Sequence, residues 1–187
     1  MLSELVVTIA STEEDLVQIL SLQRENLERH VSSDEAKQQG FVTVVHSMEL
    51  LQKMNAEEPS IIAKYKGKVV GYCLSMPKTF REMVPILVPM FEKIDLLSFE
   101  GSELKDCNYM TMGQVCVSKD CRGMGVFDKM YAKMQELQSS KYDYLVTEIA
   151  NRNTRSMRAH KRVGFEPLLS YDAAGELWEL VIWNWRA

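Results

Sequence analysis

The architecture of this chain is indicated most clearly by the sequence Val115-Cys116-Val117-Ser118-Lys119-Asp120-Cys121-Arg122-Gly123-Met124-Gly125-Val126-Phe127. Its β-branched start predicts the end of a strand over residues 109–117, and apolar residues at helical spacing predict a helix over 124–139. The two glycines permit positive φ and a close approach of the backbone to a ligand. Because the first N–H groups of a helix are unpaired and partly positive, this turn suits a pyrophosphate, although an ordinary tight turn has the same pattern.

A second strand and helix follow this turn. The sequence predicts a strand over 142–149, which is rich in aliphatic and β-branched residues, and a helix over 154–162. The helix belongs to the sequence Asn153-Thr154-Arg155-Ser156-Met157-Arg158-Ala159-His160-Lys161-Arg162-Val163-Gly164-Phe165. His160 lies near the end of this helix, which places an ionisable side chain close to the expected anion site.

The remaining segments complete a mixed fold. Strands are predicted over 5–10, 60–65, 69–74 and 177–185, and helices after a capping box at Ser11-Thr12-Glu13-Glu14 and over 47–57. Apolar residues on both faces of 177–185 predict an interior strand. Residues 80–99 are very apolar but contain Pro85 and Pro89, which predicts a broken or kinked helix. We therefore predict an α/β (α+β) fold, with residues 1–187 in a single domain.

The composition limits the function. The net charge of −4 gives no electrostatic reason to expect nucleic-acid binding. Apolar runs fall short of the roughly 20 residues that span a bilayer, and the N-terminus lacks a signal-peptide pattern. A cytoplasmic protein without membrane association is therefore expected. The chain has four cysteines without a CxxC pair and three histidines, so free thiols are expected and a metal site is not.

The two quoted sequences resemble the motifs of the GNAT superfamily of acetyl-CoA-dependent N-acetyltransferases. Residues 122–127 resemble (Gln/Arg)-x-x-Gly-x-(Gly/Ala), and residues 153–165 resemble Asn-x-x-Ala-x-x-x-Tyr-x-x-x-Gly-Phe. The two motifs occur in the family's order and at its usual separation, and the predicted strands and helices follow the family's order apart from an apolar insertion at about 77–108. The resemblance implies a mixed, mostly antiparallel central sheet of six or seven strands with helices on both faces.

The resemblance also assigns residues to a cofactor site. The pyrophosphate of coenzyme A is expected on the backbone amides of Arg122, Gly123, Met124, Gly125, Val126 and Phe127. The pantetheine arm is expected along the backbone of Val115, Cys116 and Val117, with Asn153 in contact. Ser156 stands where the family has Ala, Phe127 where it has a small residue, and His160 where a Tyr often protonates the departing thiolate. An imidazole also donates protons near neutral pH.

The implied reaction is direct transfer of the acetyl group to a primary amine of a small molecule or peptide. Glu148, near the end of a strand beside the expected acyl site, is the candidate base, because burial there raises a carboxyl pKa toward neutrality. A backbone N–H near Cys116 or Val117 would stabilise the tetrahedral intermediate. The alternatives are a solvent-facing or Arg-paired Glu148 and a His160 that only packs. Cys116 as a nucleophile is less favoured than Cys116 as a small buried residue.

The sequence also allows other functions for the chain and several roles for the insertion. The chain would also suit a non-catalytic acyl-CoA-binding module that regulates a partner. A nucleotide-binding phosphoryl-transfer domain is disfavoured because no Gly-Lys-(Ser/Thr) follows the glycines. The insertion at about 77–108 would serve as a core helix, as a wall of the acceptor pocket or as the interface of a homodimer, which is a common arrangement for this type of fold.

Overall fold

The computed structural model describes residues 4–27 and 42–186. The strands are β1 (Leu5–Ile9), β2 (Ile61–Tyr65), β3 (Lys68–Pro77), β4 (Ser98–Phe99), β5 (Ser102–Glu103), β6 (Tyr109–Val117), β7 (Tyr144–Ala150), β8 (Glu166–Ala173) and β9 (Glu176–Asn184). The α-helices are α1 (Glu13–Glu25), α2 (Met48–Glu57), α3 (Val88–Asp95), α4 (Val126–Gln138) and α5 (Thr154–Val163).

A seven-stranded sheet in the order β1-β2-β3-β6-β7-β9-β8 forms the centre of the described structure. Strands β6 and β7 are parallel. The other neighbouring strands of this sheet, in the part of the chain described, pair in antiparallel fashion. The predicted mixed, mostly antiparallel sheet of six or seven strands is therefore confirmed.

Helices cover both faces of the sheet. Along β3, the side chains of Tyr72, Leu74 and Met76 enter the core beneath α1, α2 and α3. Cys73, between them, enters the opposite core beneath α4. This alternation follows from the period of two in a strand, and it explains why Tyr72, Cys73 and Leu74 are apolar at successive positions rather than at every second one. None of the helices in residues 4–27 and 42–186 combines the length and apolar character that crossing a membrane requires.

The capping box of α1 lies one residue later than predicted. Thr12 rather than Ser11 is the N-cap, and its Oγ1 accepts a hydrogen bond from Asp15 N at 3.1 Å. The Asp15 carboxylate accepts in return from the backbone N–H groups of Thr12 and Ser11. Asp15 is buried and lies 2.6 Å from Lys64 Nζ, so this ion pair across to β2 fixes which carboxylate closes the box.

Strand β8 was not predicted from the sequence. It lies at the edge of the sheet, where it pairs only with β9 among the described strands. Most of its residues are partly or fully exposed, and Pro167 lies near its start. An edge strand tolerates proline and does not need an apolar face, so its sequence lacks the alternation that identifies half-buried strands. The predicted interior position of the last strand, β9, is confirmed.

The apolar segment after β3 is interrupted, as its prolines predict. Two 3-10 helices, Lys78–Met83 and Pro85–Leu87, precede α3, and the short hairpin β4–β5 follows it. Pro85 opens the second 3-10 helix, and Pro89 lies in the first turn of α3, where a missing N–H costs no helical hydrogen bond. The organisation of residues 1–187 as a single domain with an insertion at about 77–108 stays a prediction.

Candidate active site

The two parallel strands of the sheet separate along their length. Register pairs between β6 and β7 run from Tyr109 and Tyr144 to Thr111 and Val146. At the next position the Thr147 hydroxyl donates a hydrogen bond of 3.1 Å to the Met112 carbonyl, in place of a backbone pair. The later residues of β6 remain paired with β3 on their other side. Beyond Thr147, a cavity opens between the diverging strands, and a second, larger cavity adjoins it.

The larger cavity has a volume of about 440 Å³ and lies between β6, the N-terminal end of α4 and one face of α5. It is lined by most of the residues that the sequence assigns to a cofactor site, namely Val115, Cys116, Val117, Arg122, Gly123, Gly125, Val126, Phe127, Asn153 and Ser156. Met124 lies in the same turn but is not among the lining residues, and its side chain packs on the core beneath α4. The structure therefore brings the two quoted sequences together around one space.

The glycine turn at the start of α4 has the geometry of an anion site. Gly123 and Gly125 have φ of +78° and +73°, and a Cβ added at either would meet no atom within 4 Å. Gly125 is the N-cap of α4, so the unpaired N–H groups of the first helical turn adjoin this open space. A pyrophosphate needs such a cradle of backbone donors without side chains in the way, and the residues present fit that group.

Basic side chains that the sequence analysis did not single out adjoin this turn. Arg155, Arg158 and Arg162 line the cavity from α5, where spacings of three and four residues place them on one helix face. Burial, followed by the charges of Arg122, Arg158 and Arg162, lowers the pKa of Arg155. Their i, i+3, i+7 spacing in the sequence could have identified this basic helix face. Arg162 pairs with Asp128, which lines the same cavity. Four arginines, including Arg122, against this one carboxylate leave the lining net positive, which favours a polyanionic ligand.

The smaller cavity, of about 90 Å³, brings together the two predicted catalytic residues, Glu148 and His160. Val42, Val115, Asn153 and Ser156 line both cavities, so the two spaces adjoin. A ligand that fills the larger cavity would therefore meet a second molecule in the smaller one.

Glu148 is the charged group of the smaller cavity. Burial raises its pKa to about 7, while a hydrogen bond from Tyr171 works in the opposite direction. The Tyr171 hydroxyl donates to one oxygen of the carboxyl, and burial raises the pKa of Tyr171, which therefore stays a donor. A carboxyl with this pKa is both an effective proton acceptor and substantially ionised near neutral pH.

His160 is buried rather than exposed to solvent. Its Nε2 lies 2.7 Å from the Tyr131 hydroxyl, and its Nδ1 lies 2.8 Å from the Ser156 carbonyl oxygen and 3.2 Å from Ser156 Oγ. Phe127 stacks edge-on against the ring, so the bulky residue in the first motif packs on the histidine of the second. Burial lowers the pKa of His160 to about 4, and the ring is neutral at working pH.

Replacing His160 by Phe should cost about 1–3 kcal/mol of unfolding free energy, because the buried Tyr131 hydroxyl then lacks its partner. Urea unfolding measures this loss. The double variant with Tyr131→Phe removes both polar partners and should recover much of the stability. If the double variant is as unstable as the single one, the hydroxyl–imidazole pair is not the cause. Turnover of the folded single variant tests the general-acid role of His160, which stays a prediction.

Cys116 is a buried residue of β6 with 7% of its surface exposed. Burial raises the pKa of its thiol to about 12, so the thiolate that a nucleophile requires is disfavoured at neutral pH. This environment agrees with the interpretation of Cys116 as a small packing residue.

Residues outside the two motifs also line the smaller cavity, and two of them belong to the segment at about 77–108 that one sequence-based alternative made a wall of the acceptor pocket. Val42 comes from the segment before α2, Leu87 and Met90 from the segment before β4, and Trp178 from β9. Val42 and Trp178 reach this cavity only through long-range folding, so no local pattern marks them.

Comparison with known proteins agrees with this geometry. A ribosomal-protein-alanine N-acetyltransferase from Brucella melitensis is 20% identical, with a TM-score of 0.61 and coverage of 96% of this chain and 99% of that chain. A putative acetyltransferase from Salmonella typhimurium, solved with its cofactor acetyl-CoA, is 14% identical, with a TM-score of 0.62 and coverage of 98% and 95%. These likenesses show the fold.

The ribosomal-protein-S18-alanine N-acetyltransferase from Escherichia coli also has this fold, at 10% identity, a TM-score of 0.62 and coverage of 96% of this chain and 93% of that chain. A comparison with curated proteins finds no match. The sequence model of the Acetyltransferase (GNAT) family matches residues 28–165, which is more than half of the chain. The resemblance inferred from the two motifs is thus confirmed, and the chain belongs to the GNAT family of acetyltransferases.

Proposed function

We propose that this protein transfers the acetyl group of acetyl-CoA directly to a primary amine of a small molecule or peptide. The observation that carries the proposal is the junction of the two cavities, one ending in a glycine cradle and the other holding the Glu148 carboxyl. The activities named for the Brucella and Escherichia proteins, acetylation of a ribosomal-protein alanine, support an amine as the acceptor.

The cofactor would lie along β6 with its pyrophosphate on the turn before α4. The register pairs of β6 with β7 end at Thr111, so the backbone of Val115, Cys116 and Val117 faces the cavity on the side where β7 has diverged. That edge would hydrogen-bond the pantetheine amides as an added strand does. Asn153 caps α5 by accepting from Ser156 N at 3.2 Å, which fixes its side chain at the junction of the cavities.

Glu148 would act as the base. An acceptor amine is mostly ammonium at neutral pH, and Glu148 takes the proton that the nitrogen must lose before it attacks the thioester carbonyl carbon. A backbone N–H near Cys116 or Val117 would donate to the oxygen that becomes negative, and comparable donors are worth about 3–4 kcal/mol. The nitrogen–carbon bond forms, the carbon–sulfur bond breaks, and the sulfur leaves as a thiolate.

His160 is our candidate for the group that delivers a proton to this thiolate. Because its ring is neutral, it would release the proton on Nδ1 and take another at Nε2 from the Tyr131 hydroxyl. The ring does not line the larger cavity, but Ser156 Oγ lies 3.2 Å from its Nδ1 and Ser156 lines both cavities. Ser156 would therefore connect the buried imidazole to the sulfur. This role rests on the family's Tyr at the same position of the second motif.

Thermal unfolding with acetyl-CoA, coenzyme A or ATP tests the cofactor. A ligand that binds only the folded state stabilises it by about 2.7 kcal/mol at a hundredfold excess over Kd. We expect an upward shift of Tm with both coenzyme A species and none with ATP. An equal shift with ATP would reduce the cradle to a general phosphate site. The absence of any shift with coenzyme A would overturn the proposal.

A further inference from the structure

The smaller cavity has an apolar lining drawn from separate parts of the chain. Leu87 and Met90 enter it from the segment between β3 and β4, Met112 from β6, Ile149 from β7 and Trp178 from β9. Leu87 and Met90 are 5% and 1% exposed, so they are packed in place rather than projecting loosely. Binding an apolar group against such a lining is favourable, whereas binding a polar group there is unfavourable because that group loses its water.

Gln114 is polar by type but does not offer its amide to this space. Its Oε1 accepts hydrogen bonds from Gln23 at 2.8 Å and from the Tyr72 hydroxyl at 2.7 Å. Its Nε2 donates to the Val44 carbonyl at 2.9 Å. The buried amide is thereby committed to the protein and holds the chain before α2 against β6.

Thr147 and His160 are committed in the same way. The Thr147 hydroxyl donates to the Met112 carbonyl, and the two ring nitrogens of His160 face Tyr131 and Ser156. These groups already have partners, so they give a ligand little reason to carry polar groups of its own.

Three further polar residues line this cavity, namely Thr43, Asn153 and Ser156. Asn153 Oδ1 accepts from Ser156 N, and Ser156 Oγ lies 3.2 Å from His160 Nδ1, so these two also have protein partners. Glu148 differs from all of them because it is a carboxyl group. Among the described residues that line the smaller cavity, Glu148 is the only Asp, Glu, Lys or Arg. Tyr171 occupies one carboxyl oxygen, which leaves the other for a ligand. A carboxylate in an apolar space attracts an ammonium group and repels a second carboxylate strongly.

We propose that the acceptor is a primary amine whose carbon carries an apolar substituent and no carboxylate, and that Leu87 and Met90 select this substituent. The inference rests on the proposed function and narrows its substrate class. Free amino acids are disfavoured because their carboxylate would lie beside Glu148. Aliphatic amines and the amino-terminal residue of a peptide share the favoured chemistry, since a peptide bond removes the charge of the first carboxyl.

Acceptors that differ in one feature test this inference by release of the coenzyme A thiol. The panel is 3-methylbutylamine, leucinamide, leucine, serinamide and leucyl-alaninamide. We expect 3-methylbutylamine and leucinamide to exceed leucine by about tenfold or more in kcat/KM, and leucinamide to exceed serinamide. Basicity does not explain an advantage of 3-methylbutylamine over leucine, because the ammonium of leucine loses its proton more readily. The ammonium of leucinamide loses its proton more readily still, so 3-methylbutylamine against leucine is the deciding comparison for the carboxylate.

The outcomes distinguish a failure of this inference from a failure of the proposed acetyltransferase function. Thiol release with leucine or serinamide as efficient as with leucinamide would overturn the inference and leave the acetyltransferase proposal intact. No thiol release with any amine, despite a Tm shift with acetyl-CoA, would overturn both. Leucyl-alaninamide well above leucinamide would identify a peptide terminus as the source of the amine, and an equal or lower value would identify a small amine.

Two matched substitutions test the selecting residues. Met90→Ala enlarges the smaller cavity and should move the preference from 3-methylbutylamine toward 2-phenylethylamine. Met83→Ala makes the same change in the same segment, but Met83 is 51% exposed and is not among the lining residues, so the preference should not move. Leu87→Val is a milder truncation, to be used if Met90→Ala does not fold. An unchanged preference in the folded cavity variants would overturn the selecting role.

Discussion

Glu148→Gln is expected to lower the turnover of amine acetylation by about 100-fold or more, because the amide cannot accept the proton of the acceptor ammonium. The replacement has nearly the same shape, and its carbonyl oxygen still accepts the hydrogen bond from Tyr171. Glu148 does not line the larger cavity, so the Tm shift with acetyl-CoA should be unchanged. Steady-state thiol release gives the turnover, and retention of the shift shows that the variant is folded.

The pH dependence gives a second measurement of the same role. A base acts only in its ionised form, so kcat/KM should rise with pH through the pKa of Glu148, about 7. The Gln variant should lack this rise. Glu179→Gln is the matched control, since Glu179 lies on the adjacent strand, hydrogen-bonds Ser170 and is not among the residues that line either cavity. Turnover of Glu148→Gln equal to that of the control would remove Glu148 from the mechanism.

The proposed cofactor site could be predicted from the sequence more fully than the proposed acceptor site, because it is formed by residues that are close together in the chain. The turn from β6 into α4 is local, because Gly123 and Gly125 set its conformation and the helix they begin presents its own N–H groups. A short motif therefore specifies both the backbone and its ligand chemistry. The same holds for Asn153, which caps the helix that follows it.

The acceptor side depends on contacts between distant segments. Met90 lies in α3 and Trp178 in β9, far apart in the sequence, yet both line the smaller cavity. Glu148 was identifiable as a carboxylate in a strand, but its partner Tyr171 belongs to β8, the strand that periodicity does not reveal. A half-exposed edge strand has no strong local signal, so the environment that sets the pKa of Glu148 is a tertiary property.

Gly164→Ala is expected to cost about 3 kcal/mol of stability, the largest loss we predict for a single methyl group. Gly164 ends α5 with φ of +123°, and an added Cβ would lie 2.4 Å from Trp183 Nε1. A positive φ costs a residue with a side chain about 1–2 kcal/mol, and overpacking adds about 1–3 kcal/mol. The Trp183 ring packs against Phe165 and Trp185, which restrict its movement. Tm should therefore fall by roughly 6–12 °C.

Gly175→Ala separates the two causes of this loss. Gly175 also has a positive φ, +79°, but an added Cβ there meets no atom within 4 Å. It should lose only the conformational part, about 1 kcal/mol, so equal losses in the two variants would exclude the Trp183 contact as a cause. Because Gly164 ends the helix that carries Arg155 and His160, its displacement should also reduce the Tm shift with acetyl-CoA, whereas Gly175→Ala should leave that shift unchanged. The glycine of the second motif would then act on the cofactor through the packing of a helix end, without touching it.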